Sequence, residues 1–468
     1  MRSVTESEFA RLVAASGGRL YRVGGAVRDF YMGLPEKDRD YVVTGLGEER
    51  FSVAFPAAVV TGQAFPVFRL AIDGAFCEVA MARTERKRGA GHTGFVCDAG
   101  PGVRLEDDLR RRDLTVNAMA VDPLTGRLFD PFGGLADLRE RVLRAVSGAF
   151  AEDPLRVYRT ARFAAQLFFT VDEGTMRLMR SLVGQLGSLS AERVYEETVK
   201  ALACREPSTY FRVLYDCGAL SAHFSELQGL ASVVVCGDLD GGRATEMPEI
   251  SPIARPGRFS SALAVSLAAL DCAAQLTDDS MVRFAALVQF VDSARRQEAL
   301  WEGGGRDGPP SGDCRELNSG AGADRGGTQN FGRERALAAR TLAARIKASA
   351  RWSAGAVCAA VCAPLLSWPG ALSPERAAQL LRAAERSPLG LDGLETVVQA
   401  GIFACPAFAD AAVRQAAVRR LLPAWKTVVD QVNGRTVKRS PDESGKAYGE
   451  RLHRARVEQL ARLWNDMS

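Results

Sequence analysis

The feature that most limits the fold is a single change of hydrophobic period, about 140 residues into the chain. Before it, short β-rich runs (RLYRV, DYVVTG, FPVFRLAI, FCEVAMA, NAMAVD) alternate with Gly and Pro punctuation, the pattern of an α/β domain. After it, RVYRTARFAAQLFF, ERVYEETVKALA, YFRVLYDCGAL and SSALAVSLAALDCAAQL space their apolar residues for packed helices, and the helical pattern persists to the end. A chain of 468 residues is too long for one core, and roughly three to four domains are expected. The expected class is α+β: an α/β domain over residues 1–140, then helical parts over 141–230, 231–390 and 391–468. One stretch breaks the helical run. From Gly303 to Gly332, 10 of 30 residues are Gly, with a Pro pair and little that is apolar, so a loop or linker is expected there. No internal repeat is visible.

Bulk composition excludes little. A net charge of +4 and a pI near 8.5 permit a nucleic-acid partner without requiring one. The N-terminal MRSVTESEFARLV has no apolar signal-peptide core, and AGAVCAAVCAPLL is too short to span a bilayer, so no membrane association and a reducing cytoplasm are expected. The 10 cysteines form no CxxC pair; Cys358 and Cys362, one helical turn apart, read as core packing. Only His92, His223 and His453 are present, well separated, which leaves no imidazole cluster for catalysis.

Chemistry enters with GGAVRDFYMGLPEKDRDYVV. If DRDYVV is a strand, Asp38 and Asp40 point to one face and Arg39 to the other. Two crowded carboxylates favour a cation between them, and Mg²⁺ takes hard oxygen ligands and completes its shell with phosphate and water. Such ions can activate a 3′-hydroxyl and stabilise departing pyrophosphate. Alone, the triplet reads more readily as a solvated charged turn.

Three other stretches are each ambiguous by themselves. GGAVRD allows close backbone approach to a ligand, with Arg28 on the first helical turn placed to fork onto a triphosphate; it is equally a tight strand-to-helix turn. RRRDLTVNAMAVD sets Arg110, Arg111 and Arg112 before Asp113 and a strand-like LTVNAMAV, and a solvated basic edge would look the same. EDPLRVYRTARF opens a helix with Glu152, Asp153 and Pro154 and places Arg156, Arg159 and Arg162 along one broad flank, where surface ion pairs are the plain alternative.

In their order, GGAVRD, DRD, RRDLTVNAMA, DPFGGLADLRERVLRAV, EDPLRVYRTARF and ERVYEETVKAL resemble the class II tRNA nucleotidyltransferase/poly(A) polymerase family. QAFPVFRL, ARTERKRGAGHTGF and LEDDLRRRDLTVNAMA look like its long bacterial CCA-adding enzymes with an HD domain. The similarity covers roughly residues 20–225. It implies a nucleotidyltransferase head over 1–140, a neck for base recognition over 141–230, a body over 231–390 and a tRNA-contacting tail over 391–468. It further implies that Asp38 and Asp40 hold Mg²⁺ and that Gly25 and Arg28 meet the nucleotide. Arg112, Arg159 and Arg162 match nucleotide-binding arginines, and Asp153 and Arg156 match the EDxxR pair that reads the incoming base. A carboxylate accepts from the exocyclic amine of C or A, where U and G offer a carbonyl. Glu78 in FCEVAMA is a further carboxylate candidate near the metals, and RKRGAGHTGF matches the flexible loop tied to switching from C to A.

The implied activity is template-independent addition of C, C and A to tRNA 3′ ends from CTP and ATP. The alternatives are a poly(A) polymerase of the same family and a non-catalytic RNA-binding descendant. GQAFPVF stands where poly(A) polymerases carry a GRRF-type signature, and the intact DRD speaks against a purely binding role. One departure is plain: in RFAALVQFVDSARR, Gln289 and Phe290 occupy the His-Asp positions of the HD motif, so metal-dependent phosphohydrolase activity is expected to be absent. The segment from Arg435 to Arg462 holds eight Lys/Arg and reads either as a tRNA-backbone contact or as a solvated amphipathic helix.

Overall fold

The computed structural model describes residues 4–35, 39–61, 66–87, 95–236, 259–291, 327–366, 372–404 and 411–464. The chain divides into two compact units, Met1–Ser190 with Cys217–Ala219, and Ala191–Asp216 with Leu220–Ser468. The division falls inside the segment expected to form the neck.

The first unit is built on a seven-stranded sheet. Its strands are β1 (Arg19–Val23), β2 (Asp40–Thr44), β3 (Val59–Thr61), β4 (Val67–Ile72), β5 (Ala75–Met81), β8 (Ala120–Val121) and β9 (Leu128–Phe129), in the order β3-β4-β5-β2-β1-β8-β9. Between them in sequence, β6 (Thr84–Lys87) and β7 (Phe95–Asp98) form a separate antiparallel ribbon. Most neighbours are antiparallel, but β2 and β5 run parallel.

Burial explains why Tyr41–Val43 of β2 read as a continuous apolar run while β5 alternates. Leu20, Tyr41, Val43, Phe68, Cys77, Val79 and Met81 face one core, closed by Phe9 and Val13 of α1 (Glu6–Ala15) and by Phe51. The opposite face is also buried along β1 and β2, where Tyr21, Val23 and Val42 pack with Leu109, Ala118 and Ala120. On β5 that second face carries Phe76 and Glu78, both exposed. The sheet is therefore covered on both faces at its centre and open on one at β5 and β4.

LTVNAMAV departs from the strand expected of it. Thr115–Asn117 is a 3₁₀ turn and only Ala120–Val121 joins the sheet. The cause lies in DPFGGLADLRE, whose helix Gly134–Glu140 packs onto that turn so closely that a Cβ on Gly134 would run into the Thr115 carbonyl oxygen. Asp137 then accepts a hydrogen bond from Thr115 Oγ1 at 2.6 Å. The neck helix spans Leu155–Leu167, and just before it Asp153 Oδ1 accepts from the Leu155 N–H at 3.0 Å.

The second unit is mainly helical. Ala262–Leu276, Ser280–Val288, Ala350–Leu366, Pro374–Glu385, Gly390–Ala404 and Ala411–Gln431 enclose a core containing Leu381, Val397 and Trp425, against which Leu460 of Gly445–Trp464 also packs. Cys358 and Cys362 lie in that core, as their spacing indicated. Two sequence expectations need correction. The region beyond the head is not wholly helical: Val142–Leu143 pairs with Thr170–Val171, and Val234–Cys236 with Phe259–Ser261. Also, the helix Gly327–Arg345 takes in the last part of the Gly-rich stretch, because it leads directly into the helix-forming RERALAAR. The rest of that stretch lies outside the described residues.

Candidate active site

At the end of β1 the chain turns through Gly24 into the short helix α2 (Gly25–Tyr31). Gly24 has φ +72°, and a Cβ there would lie 2.9 Å from Arg112 Nη1. It is thus Gly24, rather than the Gly25 singled out in the sequence, whose backbone demands glycine. At Gly25 a Cβ would stand 3.5 Å from Arg28 Nη2, an ordinary contact. A helix of seven residues has little dipole to offer an anion, so positive charge at this end must come from side chains.

Strand pairing brings Asp40 to the same place. Asp40 lies opposite Val23, the residue before the glycine turn, and in register with Glu78 on the parallel neighbour β5. Paired residues on adjacent strands project from the same face, and both side chains are exposed. Asp40 and Glu78 are therefore adjacent carboxylates on the open face, a donor set of hard oxygens that suits Mg²⁺. Asp38 lies outside the described residues, as does the Gly-rich centre of the RKRGAGHTGF loop.

Arg28, on the helix that follows the glycine turn, is buried. Its Nε donates to Asp29 Oδ1 at 2.8 Å, and its Nη1 donates to Asn117 Oδ1 at 2.6 Å. Asn117 in turn donates from Nδ2 to Asp113 Oδ1 at 3.2 Å. Asp113 Oδ2 receives Nε and Nη2 of Arg159 at 2.8 and 2.7 Å. One polar relay, Asp29–Arg28–Asn117–Asp113–Arg159, thus joins GGAVRD, RRDLTVNA and the neck helix. Burial alone would raise the Asp113 carboxyl, but the charge and hydrogen bonds of Arg159, with Asn117 and Arg156 adding to them, hold it below the usual range.

A second buried carboxylate organises the other arginines. Asp108 is fully buried and holds Arg111 Nη2 at 2.7 Å and Arg112 Nη2 at 3.4 Å. Desolvation works against its charge, yet the two guanidinium groups win and its pKa is lowered. Arg112 is pulled toward the Gly24 turn and also reaches the Asn117 carbonyl at 3.4 Å.

On the neck helix the three arginines separate. Arg156 donates to the carbonyls of Ala149 and Arg111 at 2.7 and 2.6 Å, which ties the helix start to the basic cluster. Arg159 meets Asp113, and Arg162 is buried and donates to Gln166 Oε1 at 2.7 Å. Phe163 lies among them. The guanidinium carbons of Arg28, Arg159 and Arg162 lie 5.2, 5.6 and 3.9 Å from its ring centroid.

Of the residues expected from sequence, Arg28, Arg112, Arg156 and Arg159 are joined through hydrogen-bonded links, and Arg162 enters through Phe163. Asp40 and Glu78 share the sheet end, and Asp153 bonds the first backbone N–H of the neck helix. Sequence reasoning missed Gly24, Asp108, Asn117 and Phe163, and gave Asp113 no role. The spacing of Asp113 and Asn117 in RRDLTVNA was the available signal, but reading that stretch as a strand hid it. Gln289, at the first HD position, is fully buried, donates to the Ala286 carbonyl at 3.0 Å and lies against Gly401, while Phe290 packs on the apolar core. Among the described residues no cluster of three His, Cys, Asp or Glu side chains suits a metal, and no helix is long and apolar enough to cross a membrane.

The chain is similar to known proteins in sequence and in fold. Residues 20–144 match the poly A polymerase head domain, and residues 168–230 match the probable RNA- and SrmB-binding site of polymerase A. Over 286 residues the chain is 46% identical to the multifunctional CCA protein of Hahella chejuensis (strain KCTC 2396), an alignment covering 60% of this chain and 63% of that protein. The structure of the Bacillus stearothermophilus CCA-adding enzyme in complex with CTP is similar, with TM-score 0.55 and 21% identity over 96% of this chain and 91% of that one. A CCA-adding enzyme in apo form II gives TM-score 0.59 at 19% identity, covering 97% and 91% of the two chains. With these two modules in order, residues 20–144 and 168–230 are similar to the head and RNA-binding parts of poly(A) polymerases, and the chain spans less than two thirds of the curated CCA protein that it matches.

Proposed function

We propose that the chain is a template-independent CCA-adding tRNA nucleotidyltransferase that adds C, C and A to tRNA 3′ ends from CTP and ATP, releasing pyrophosphate. The observation that carries this reading is the relay from Arg28 through Asn117 and Asp113 to Arg159, beside the sheet end that bears Asp40 and Glu78. Solved CCA-adding enzymes of similar fold are complexed with CTP and with ATP.

Asp38 and Asp40 are assigned as Mg²⁺ ligands, with Glu78 the further carboxylate. When bound, Mg²⁺ lowers the pKa of the attacking 3′-hydroxyl and offsets charge on the leaving pyrophosphate. The protein's own part is positioning. Arg28, Arg112, Arg159 and Arg162 supply positive charge for the triphosphate, and the bonds that fix them reduce the ordering cost on binding. Gly24 and Gly25 let the backbone come close. Asp153 and Arg156, one helical turn apart at the start of the neck helix, are assigned to the base edge: the carboxylate takes the amine of C or A and rejects U and G. Asp153→Ala is expected to relax base choice more than it slows addition.

The head, neck, body and tail divisions at 1–140, 141–230, 231–390 and 391–468 are retained as functional parts, with the basic helix Gly445–Trp464 of the tail as a tRNA contact. Free cysteines and a tRNA substrate suit a reducing cytoplasm. The body is assigned no phosphohydrolase activity, since a buried amide beside Gly401 replaces the first metal-binding position. Hydrolysis of a 2′,3′-cyclic nucleotide that survives Asp38→Ala would overturn that assignment.

The test is incubation of tRNA lacking its last three nucleotides with CTP, ATP or both, resolved on a sequencing gel. Two added nucleotides with CTP alone and three with both support the proposal. Long A tails would assign a poly(A) polymerase, and no extension would leave an RNA-binding descendant.

A further inference from the structure

The open half of the sheet carries a second pair beside the two carboxylates. On β5, Cys77, Val79 and Met81 point into the core, whereas Phe76 and Glu78 point to the open face. Phe76 is 70% exposed, whereas Cys77, Val79 and Met81 are buried, so its ring adds little to the core. Arg69 of β4 is in register with Glu78, which is in register with Asp40. Arg69, Glu78 and Asp40 therefore form one row across three strands. Arg69 does not spend its charge on Glu78: its guanidinium carbon lies over Phe76, 5.9 Å from the ring centroid. With strands about 4.8 Å apart and a rise of about 3.3 Å per residue, the Phe76 Cα lies roughly 8 Å from that of Asp40.

We propose that Phe76 and Arg69 form a stacking platform for the single-stranded 3′-terminal nucleotide of the RNA acceptor. This rests on the reading of Asp40 as catalytic. Three features point to RNA rather than protein as the occupant. The surface is continuous with the carboxylate row, it presents an aromatic face, and its charged member is a cation suited to a phosphate. A stack also meets a demand that hydrogen-bonded readout would not. The terminal base changes at each round of addition, and every base has a π face.

The experiment compares Phe76→Ala, Phe76→Leu, Phe76→Trp and Arg69→Gln in the full chain. Two readouts are taken: steady-state addition, and fluorescence of tRNA ending in 2-aminopurine, titrated without nucleotide. Because Phe76 is exposed, the melting temperature should be kept. Phe76→Ala and Phe76→Leu are expected to raise KM for tRNA about 5- to 100-fold, the size of one lost base stack. KM for CTP should move less than twofold, and 2-aminopurine quenching should be lost. Phe76→Trp should restore both, and Arg69→Gln should weaken tRNA binding with a smaller dependence on salt. A Phe76→Ala protein that binds and quenches like wild type overturns the platform while leaving CCA addition standing. A rise in KM for CTP alone overturns it too, by assigning the ring to the incoming nucleotide. If wild type adds no nucleotide, the catalytic reading fails, and the quenching titration still decides the platform.

Discussion

Asp113→Asn tests the relay at its most sensitive atom. Four donors converge on the wild-type carboxylate: Nε and Nη2 of Arg159 on Oδ2 at 2.8 and 2.7 Å, and the Leu114 N–H and Asn117 Nδ2 on Oδ1 at 2.8 and 3.2 Å. An asparagine amide has one oxygen. Turned toward Leu114 and Asn117, it presents its NH₂ to Arg159; turned the other way, NH₂ meets two buried donors. Either orientation sets donor against donor. Charge-assisted bonds contribute about 1.5–3 kcal/mol each, but the Arg159 side chain is 36% exposed and can turn to water. The discounted loss is about 2–3 kcal/mol, or roughly 4–10 °C in the melting of a unit this size. Scanning calorimetry at pH 7 measures it, and KM for CTP should rise with it as Arg159 loosens. The sign with pH is fixed. The Asp113 carboxyl is held low in the fold, so its contribution is full above the unfolded carboxylate pKa and is lost as pH falls through the lower folded value. The gap between wild type and variant should therefore narrow in acid. A gap under about 1 °C at pH 7, or one that does not narrow below about pH 4, refutes the reasoning.

Gly24→Ala should cost about 1–3 kcal/mol and displace Arg112, while Gly25→Ala should cost under about 1 kcal/mol; equal melting temperatures for the two would contradict the turn geometry. Phe163→Leu should raise KM for CTP and ATP together about tenfold by removing the ring that three guanidinium groups share, with Phe163→Tyr close to wild type, checked by steady-state kinetics. Gly401→Ala should destabilise by about 1–3 kcal/mol through overpacking against Gln289, and Gln289→Ala should recover part of it in the double variant, measured by urea unfolding. Lys446→Ala with Arg454→Ala, both exposed on the tail helix, should weaken tRNA binding more at low salt than at high salt, read by filter binding.

Much of this site was legible because its residues are local in sequence. DYVV and RLYRV read as strands because both faces are buried, and the neck arginines read as a helix flank because Pro154 and the acids before it mark the start. What stayed hidden was long-range. Nothing near LTVNAMAV says that Gly134 will press a helix onto Thr115 and fold the stretch into a turn, and without that turn Asn117 has no reason to meet Arg28 across 89 residues. Phe163 drew no notice in ARF, since Arg28, the cation that ties it to the glycine turn, comes from a distant helix. Gly24 and Gly25 were indistinguishable until φ and the position of Arg112 were known.

The central claim is that the sheet end bearing Asp40 holds the triphosphate against Arg28, and a crystal structure with CTP and Mg²⁺ tests it directly. Mg²⁺ on Asp38 and Asp40, with triphosphate oxygens within hydrogen-bond reach of Arg28 and the Gly24 turn, is the expected result. Nucleotide bound elsewhere, with the two aspartates pointing apart, would contradict it.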